Sequence, residues 1–387
     1  MRGLGRDFNF LLVARAVSII GDQAALIALI FMVKGHGSWS TAALLGGTGI
    51  AMVLTSTWVG KLIDRESVKK VIIITSLVQS IICFALIHSN LYAVLILNLI
   101  LGAGQAIVIA ATGAWTPSLV EKENLGKAFG QMQVVLSIAS LAGYGIGGVL
   151  VGKFGVSAAL LLDAISFLLL VPMLLIMKKD RIGNPEVDKD GKMKGGFKIV
   201  WQNPSLRAIL ISMTAFVTAL MIFNPLEVYL TTEILGAGPA GYGVINMVWS
   251  ASIAVGSMLI TKTMKPEWGN AKPVMISFVA VGFSMVAIGY APNLIFLSVA
   301  LFLCGIIVAG FNIFIGPLIV KNSVESELGR VNATIGAINS AGSAVGTALG
   351  GFLGHILPIR FVIAMAGVLA ASSLIFTGKK LLAAEKK

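Results

Sequence analysis

Long apolar runs alternate with short polar stretches along the whole chain. The first six runs are Phe8–Val33, Ala42–Val59, Val71–Ile87, Tyr92–Trp115, Ala128–Gly152 and Val156–Met177. Six more follow: Leu206–Thr231, Tyr242–Ile260, Val274–Tyr290, Leu294–Val320, Val331–Gly354 and Arg360–Thr377. Their lengths fall near the roughly 17–25 residues that a helix needs to cross a bilayer. In lipid every backbone N–H and C=O must be paired internally, so such runs form helices. The pattern predicts an all-α polytopic membrane protein with twelve transmembrane helices. Residues 1–177 form one six-helix bundle and 206–387 a second, which ends in a short basic tail from Gly378. Between them, 178–205 is rich in Lys, Asp, Gly and Pro and reads as a polar linker.

The two halves align at a constant offset of 203 residues. Gly35 meets Gly238, Gly102 meets Gly305, Gly113 meets Gly316, and Leu125-Gly126-Lys127 meets Leu328-Gly329-Arg330. Asp64 falls on Glu267 and Lys69 on Lys272. The same offset pairs Gly143, Gly147 and Gly148 with Gly346, Gly350 and Gly351. Both copies begin on the same side, so this is a parallel repeat, an arrangement that places substrate between the halves near the midplane.

Composition agrees with the pattern. Of 387 residues 57% are hydrophobic and only 12% charged, against about 25% charged in soluble proteins. The net charge of +12 does not imply nucleic-acid binding, because the bases fall in alternate loops. Of 29 Lys and Arg, 25 lie at the N-terminus, the even-numbered loops, the linker and the tail. Lys34, Lys153 and Arg360 lie on the other side, and Arg15 lies inside the first span. Bases collect in the cytoplasm, so both termini and the linker belong there. Cys83 and Cys304 sit inside apolar runs and imply buried thiols rather than a disulfide. The chain contains no Walker sequence, no His-Glu-x-x-His and no metal cluster, so it offers no enzyme active site, cofactor or ATP drive.

The loop from Gly60 to Lys70 carries Gly60, Leu62, Asp64, Arg65 and Lys69. It resembles the signature loop of the major facilitator superfamily between the second and third helices. Ser67 and Val68 depart from that pattern. In the fifth span, Ala139-x3-Gly143-Tyr144-x2-Gly147-Gly148 is similar to the superfamily's exporter motif, with Ala and Tyr in place of its Gly and Pro. The copy in the eleventh span, Gly342-x3-Gly346-Thr347-x2-Gly350-Gly351, keeps all four glycines. Val17-Ser18-Ile19-Ile20-Gly21-Asp22 resembles the drug and siderophore exporter branch. The resemblance implies a bacterial inner-membrane protein that works by alternating access. It implies a gating role for Gly60, Asp64, Arg65 and Lys69.

Charges within the spans are the candidates for coupling or substrate contact, because each costs at least ~2.5 kcal/mol to insert. Asp22 comes first, as a proton carrier or substrate contact, or else as half of a structural ion pair or a cap on a kink at Gly21. Arg15, two turns away, is either its partner or a side chain that snorkels to the cytoplasm. Glu227 and Asp163 lie closer to the outer ends of their spans, where either could reach water. Asn224-Pro225 predicts a kink just before Glu227. Asn98, Gln105, Asn246, Asn312 and Asn339 are candidates to line a cavity, or else to bond between helices; Trp249 is a further candidate, or else serves in packing or an interfacial belt.

These readings converge on a multidrug-type antiporter that exports amphiphilic small molecules in exchange for protons. It would act as a monomer among membrane lipids, with no nucleic-acid partner and no metal. The alternatives are an importer, a lipid or lysolipid flippase on the same fold, or a receptor or assembly factor that transports nothing. Proton-coupled drug antiporters of the superfamily it resembles often carry an Arg in the fourth span, and no base lies between Leu91 and Trp115 here, which departs from that pattern.

Overall fold

A computed structural model of the chain describes residues 4–63, 65–181, 196–263, 271–324 and 327–385. Its elements are helices throughout. They are α1 (Arg6–Val33), α2 (Ser38–Ile63), α3 (Val68–Leu86), α4 (Leu91–Leu119), α5 (Leu125–Phe154), α6 (Val156–Ile176) and α7 (Gly196–Gln202). Then come α8 (Pro204–Phe223), α9 (Glu227–Tyr229), α10 (Pro239–Thr263), α11 (Ala271–Gly289), α12 (Leu294–Lys321), α13 (Leu328–Ile356) and α14 (Ile359–Glu385).

Among the described residues ten helices are long and apolar enough to span a membrane. The two long helices outside that ten are α13 and α14. α13 is diluted by Gly, Ser and Asn, and in α14 the described apolar stretch is Ile359–Ser372. Most boundaries differ from the sequence reading by a few residues, as in α2, which runs from Ser38 to Ile63. α4 continues past Trp115 to Leu119 with Pro117 inside its last turn. The expected tail is helical as far as Glu385. The seventh span is not one helix: α8 stops at Phe223, Asn224–Leu226 form a 3-10 turn, and α9 runs into a π-helical turn, Leu230–Ile234. Pro225 lacks the N–H that would continue α8, which accounts for the break.

The chain forms two compact units. The first comprises residues 1–35, 47–189 and 238–247; the second comprises 36–46, 190–237 and 248–387. Inside the first, α1 packs on α5 and α6, and α3 packs on α4 and α6. Inside the second, α8 packs on α13 and α14, and α11 packs on α12 and α14. The wiring is the same in each unit, so the sequence repeat is a repeat in space. Glycine makes these contacts close. A Cβ on Gly143 would come within 2.8 Å of the Ile20 carbonyl of α1, and Gly147 lies against Ala24. Gly346 and Gly350 do the same against Thr218 and Ile222 of α8. Gly148 instead meets Gly243 at the start of α10, and its counterpart Gly351 meets Ser38 and Ala42 of α2. Small residues at such positions let backbones approach and pack by van der Waals contact, the main attraction between helices in lipid.

Each unit has its own dense centre. In the first, Phe8, Leu12, Trp115, Leu170 and Leu174 are buried together. In the second, Phe216, Phe278 and Phe311 from α8, α11 and α12 form a ring cluster with centroids 4.2–5.7 Å apart. Gly155, at φ 80°, turns the chain between α5 and α6 in one residue, a backbone conformation that favours glycine.

Candidate functional site

Arg15 and Asp22 are seven residues apart, two turns of α1, and therefore share a face. They line one cavity of about 240 Å3 inside the first unit. Ser18 and Gln23 of α1 join them, with Gln79 of α3 and Gln105 of α4. Gln105 hydrogen-bonds the Asp22 carboxylate, and Arg15 lies within electrostatic reach of it. Arg15 does not reach the surface. Its side chain is only 7% exposed, so the snorkelling alternative gives way to that of a partner for Asp22.

The cavity walls hold polar atoms with nothing to bond. Arg15 Nε, Ser18 Oγ, Gln23 Oε1 and Gln79 Oε1 are all buried and unpartnered. Gln79 is 2% exposed, and its amide N–H reaches only the Leu101 carbonyl, at 3.4 Å. Gly104 makes room for it, because a Cβ there would press on the Gln79 amide at 2.8 Å. Unpaired buried polar groups cost about 1–3 kcal/mol each, so four around one cavity set it apart from the apolar packing around it.

Asp163 of α6 lies against α1 next to this cavity, within electrostatic reach of Asp22. The sequence places it near water, but the structure buries it to 2% exposure. It sits against the bare backbone of Gly21, one residue from Asp22. It accepts hydrogen bonds from Cys83 Sγ at 3.3 Å and Ser166 Oγ at 3.2 Å. α1 thus carries a carboxylate on one side, leans on a second, and has one base between α3, α4, α5 and α6. Gln23, Gln79 and Ser166 were not singled out from the sequence, and Ser18 and Cys83 were noted there without a role at this site. Gln23 and Gln79 carried a usable signal, as amides inside apolar runs.

The remaining candidates do not join this cavity. Asn98 is buried and donates to Thr48 Oγ1 of α2 at 3.0 Å, an interhelical bond. Asn246 donates to the Tyr242 carbonyl of its own helix at 3.1 Å. Asn339 accepts from Thr214 Oγ1 of α8 at 3.1 Å. Trp249 is half-buried on α10, and Asn312 is exposed on α12. Glu227 opens α9 in the second unit and is half-buried just beyond the helix break.

Of the signature loop, Asp64 lies outside the described residues. Gly60 is in the last turns of α2, and Arg65 is exposed. Lys69 is engaged inside its own unit. Its Nζ donates to the Met177 carbonyl at 2.8 Å and the Leu175 carbonyl at 3.4 Å, where a cation meets the negative end of α6. Asp180 returns the contact, accepting from the Ser67 hydroxyl and the Lys69 N–H at the start of α3.

The Major Facilitator Superfamily pattern matches residues 11–266 and 209–386. The chain is 23% identical to macrolide efflux protein A of Streptococcus pyogenes over 376 residues, covering 92% of this chain and 91% of that protein. It is 26% identical to the enterobactin exporter EntS of Shigella boydii serotype 18 over 362 residues, covering 90% of this chain and 86% of that one. The fold is similar to that of the nucleoside transporter NupG, with a TM-score of 0.76 at 16% identity over 99% of this chain and all of that one. It is also similar to a bacterial homologue of the iron transporter ferroportin, with a TM-score of 0.74 at 15% identity over 99% of both chains.

Proposed function

The chain belongs to the Major Facilitator Superfamily, and from that premise we propose that this membrane transporter exports amphiphilic small molecules in exchange for protons. It is an integral membrane protein and not an enzyme. The observation that carries the proposal is the cavity beside α1, where a carboxylate and a guanidinium share a space edged by unpaired polar atoms. Ionisable groups at membrane depth commonly mark a substrate or proton path. Here Arg15, Asp22 and Asp163 leave one negative charge without a partner when all are ionised. A proton taken up at Asp22 balances that charge, and its release as the cavity opens to the other side couples the cycle to the gradient. The efflux names of the two relatives at 23% and 26% identity favour export.

A second reading has its own observation. A second groove, of about 460 Å3, runs between α2, α3 and α4; it shares Gln79 with the cavity, is walled by Trp58, Ile74, Val78, Ile100 and Ile107, and has Glu66 and Lys70 at its edge. So apolar a groove suits a lipid chain, and a lipid or lysolipid flippase would use one.

Reconstitution in vesicles with an acidic lumen separates the two. Macrolides, dyes, catechol siderophores and lysolipids are added in turn while a pH-sensitive dye reports the lumen. Antiport predicts proton release with one class, abolished by Asp22→Asn. Proton release with none of them, while a labelled lipid still crosses, would overturn antiport in favour of the flippase.

A further inference from the structure

α7 is too short to hold itself together. Its seven residues, Gly196–Gln202, fall below the roughly 12–15 at which an isolated helix becomes marginal in water. The protein supports one face of it. Gly196 and Val200, four apart, are buried, and α7 packs on α13 and α8. The fit is close, since a Cβ on Gly196 would meet the Thr334 side chain and come within 2.8 Å of the Arg330 carbonyl of α13. A second face is left bare. Phe197 and Trp201, also four apart, stack with centroids 5.4 Å apart and are 56% and 47% exposed.

Place and composition say what covers that face. Only Asn203 separates α7 from α8, where the apolar span Pro204–Ile234 begins. Asn203 caps α8 by accepting from the Ser205 and Leu206 N–H groups, and it donates to the Asn322 carbonyl just past α12. α7 is therefore fixed at the membrane surface, where α8 and α13 begin and α12 ends. Aromatic rings concentrate at that level, between lipid chains and water. A helix with an apolar face and bases beside it lies in the plane of the interface.

Charge selects among lipids. From Gly196 to Arg207 the chain carries Lys198 and Arg207 and no acid. Lys198 is exposed beside Phe197. The Arg207 guanidinium lies 5.7 Å from the Trp201 ring centroid and donates to the Trp201 carbonyl at 3.4 Å. A guanidinium has five N–H donors, and this bond takes one. A zwitterionic head group brings its own cation and has no net charge to match the two bases. A head group whose phosphate is its only charge does match them, and Arg suits phosphate through paired hydrogen bonds.

We infer that α7 and the first turn of α8 form a binding site for an anionic phospholipid, with Phe197 and Trp201 against its chains and Lys198 and Arg207 on its phosphate. The lipid supplies the support that α7 lacks on its bare face and holds it against α13. The site does not depend on what the transporter carries or in which direction.

The test uses the full-length protein in detergent, titrated with phosphatidylglycerol or phosphatidylcholine of the same chains, with bound lipids counted by native mass spectrometry. Phosphatidylglycerol should bind more tightly. Lys198→Gln combined with Arg207→Gln should weaken it about 25-fold, at about fivefold for each base near an anionic lipid, and leave phosphatidylcholine unchanged. Lys127→Gln combined with Lys179→Gln removes two exposed bases from the first unit and should leave both lipids unchanged. Glycerol 3-phosphate, a head group without chains, should not compete. In nanodiscs, phosphatidylglycerol brominated high on its chains should quench the fluorescence that Trp201→Phe removes.

Equal weakening by the two double variants would reduce the preference to diffuse charge and overturn the site. Undiminished binding by the Lys198 and Arg207 variant would overturn it as well. Competition by glycerol 3-phosphate would make this a site for soluble phosphate and not for lipid. Unquenched Trp201 fluorescence would mean that the bare face of α7 does not meet the bilayer.

Discussion

At Gly21 a single hydrogen decides the geometry of two carboxylates. Any side chain there would drive a carbon into Asp163 Oδ1 and Ser166 Oγ. Asp163 has no room to retreat, being buried and bonded to Cys83. Gly21→Ala should therefore destabilise the protein by about 1–3 kcal/mol, the usual cost of overpacking, and unseat Asp163 from its thiol. Gly113→Ala is the control, since open space surrounds that glycine on α4. Thermal unfolding in detergent reads the difference; equal midpoints for the two variants would mean that α1 and α6 are not held this closely. Neighbouring Asp22 was legible from the sequence because a charge inside an apolar run stands out. Its surroundings were not. Nothing in the spacing says that Gln79 of α3 shares a cavity with residues of α1, because that depends on how the helices pack. The burial of Asp163 was missed for the same reason. Counting residues from the end of a span gives depth in the membrane, but not which neighbour covers the side chain.

At the scale of elements, the regular parts were easiest to read and the irregular ones hardest. Apolar runs fixed where most helices lie, because the bilayer demands internal hydrogen bonding. The glycine spacing of α5 and α13 also told of close contact, but not that Gly148 and Gly351 turn to different helices from their neighbours. The π turn at Leu230–Ile234 had no signal beyond the proline upstream. The signature loop is the clearest case of a motif whose recognition outran its geometry. Lys69 resembles a gating residue, yet in the structure it ties α3 to the end of α6 through two carbonyls. Lys69→Met keeps the length of the side chain and removes the donor. It should cost about 1 kcal/mol of stability, in keeping with a net hydrogen bond and a lost helix-end charge. It should also lower transport turnover severalfold while leaving substrate affinity unchanged, since Lys69 lies apart from the residues that line the α1 cavity. Parallel binding and flux measurements on the reconstituted variant would settle it. A loss of affinity equal to the loss of flux would mean that the loop acts on the site and not on the cycle.

For the molecule as a whole, direction of transport depends on which way the chain lies in the membrane. The bases give one answer: 25 of 29 fall on one side of the predicted spans and three on the other. Positive residues are retained in the cytoplasm, so the turn after α3 should face outward and the turn after α4 inward. His88 and Glu121 are exposed in these two turns, at opposite ends of α4. The native thiols, Cys83 and Cys304, are both buried and do not compete for a labelling reagent. His88→Cys should react with a membrane-impermeant maleimide in intact cells, and Glu121→Cys only after the cells are broken. The opposite pattern would reverse more than topology. Asp22 would then meet the proton gradient from the other side, and the exchange proposed for it would drive uptake of the amphiphile instead of its expulsion.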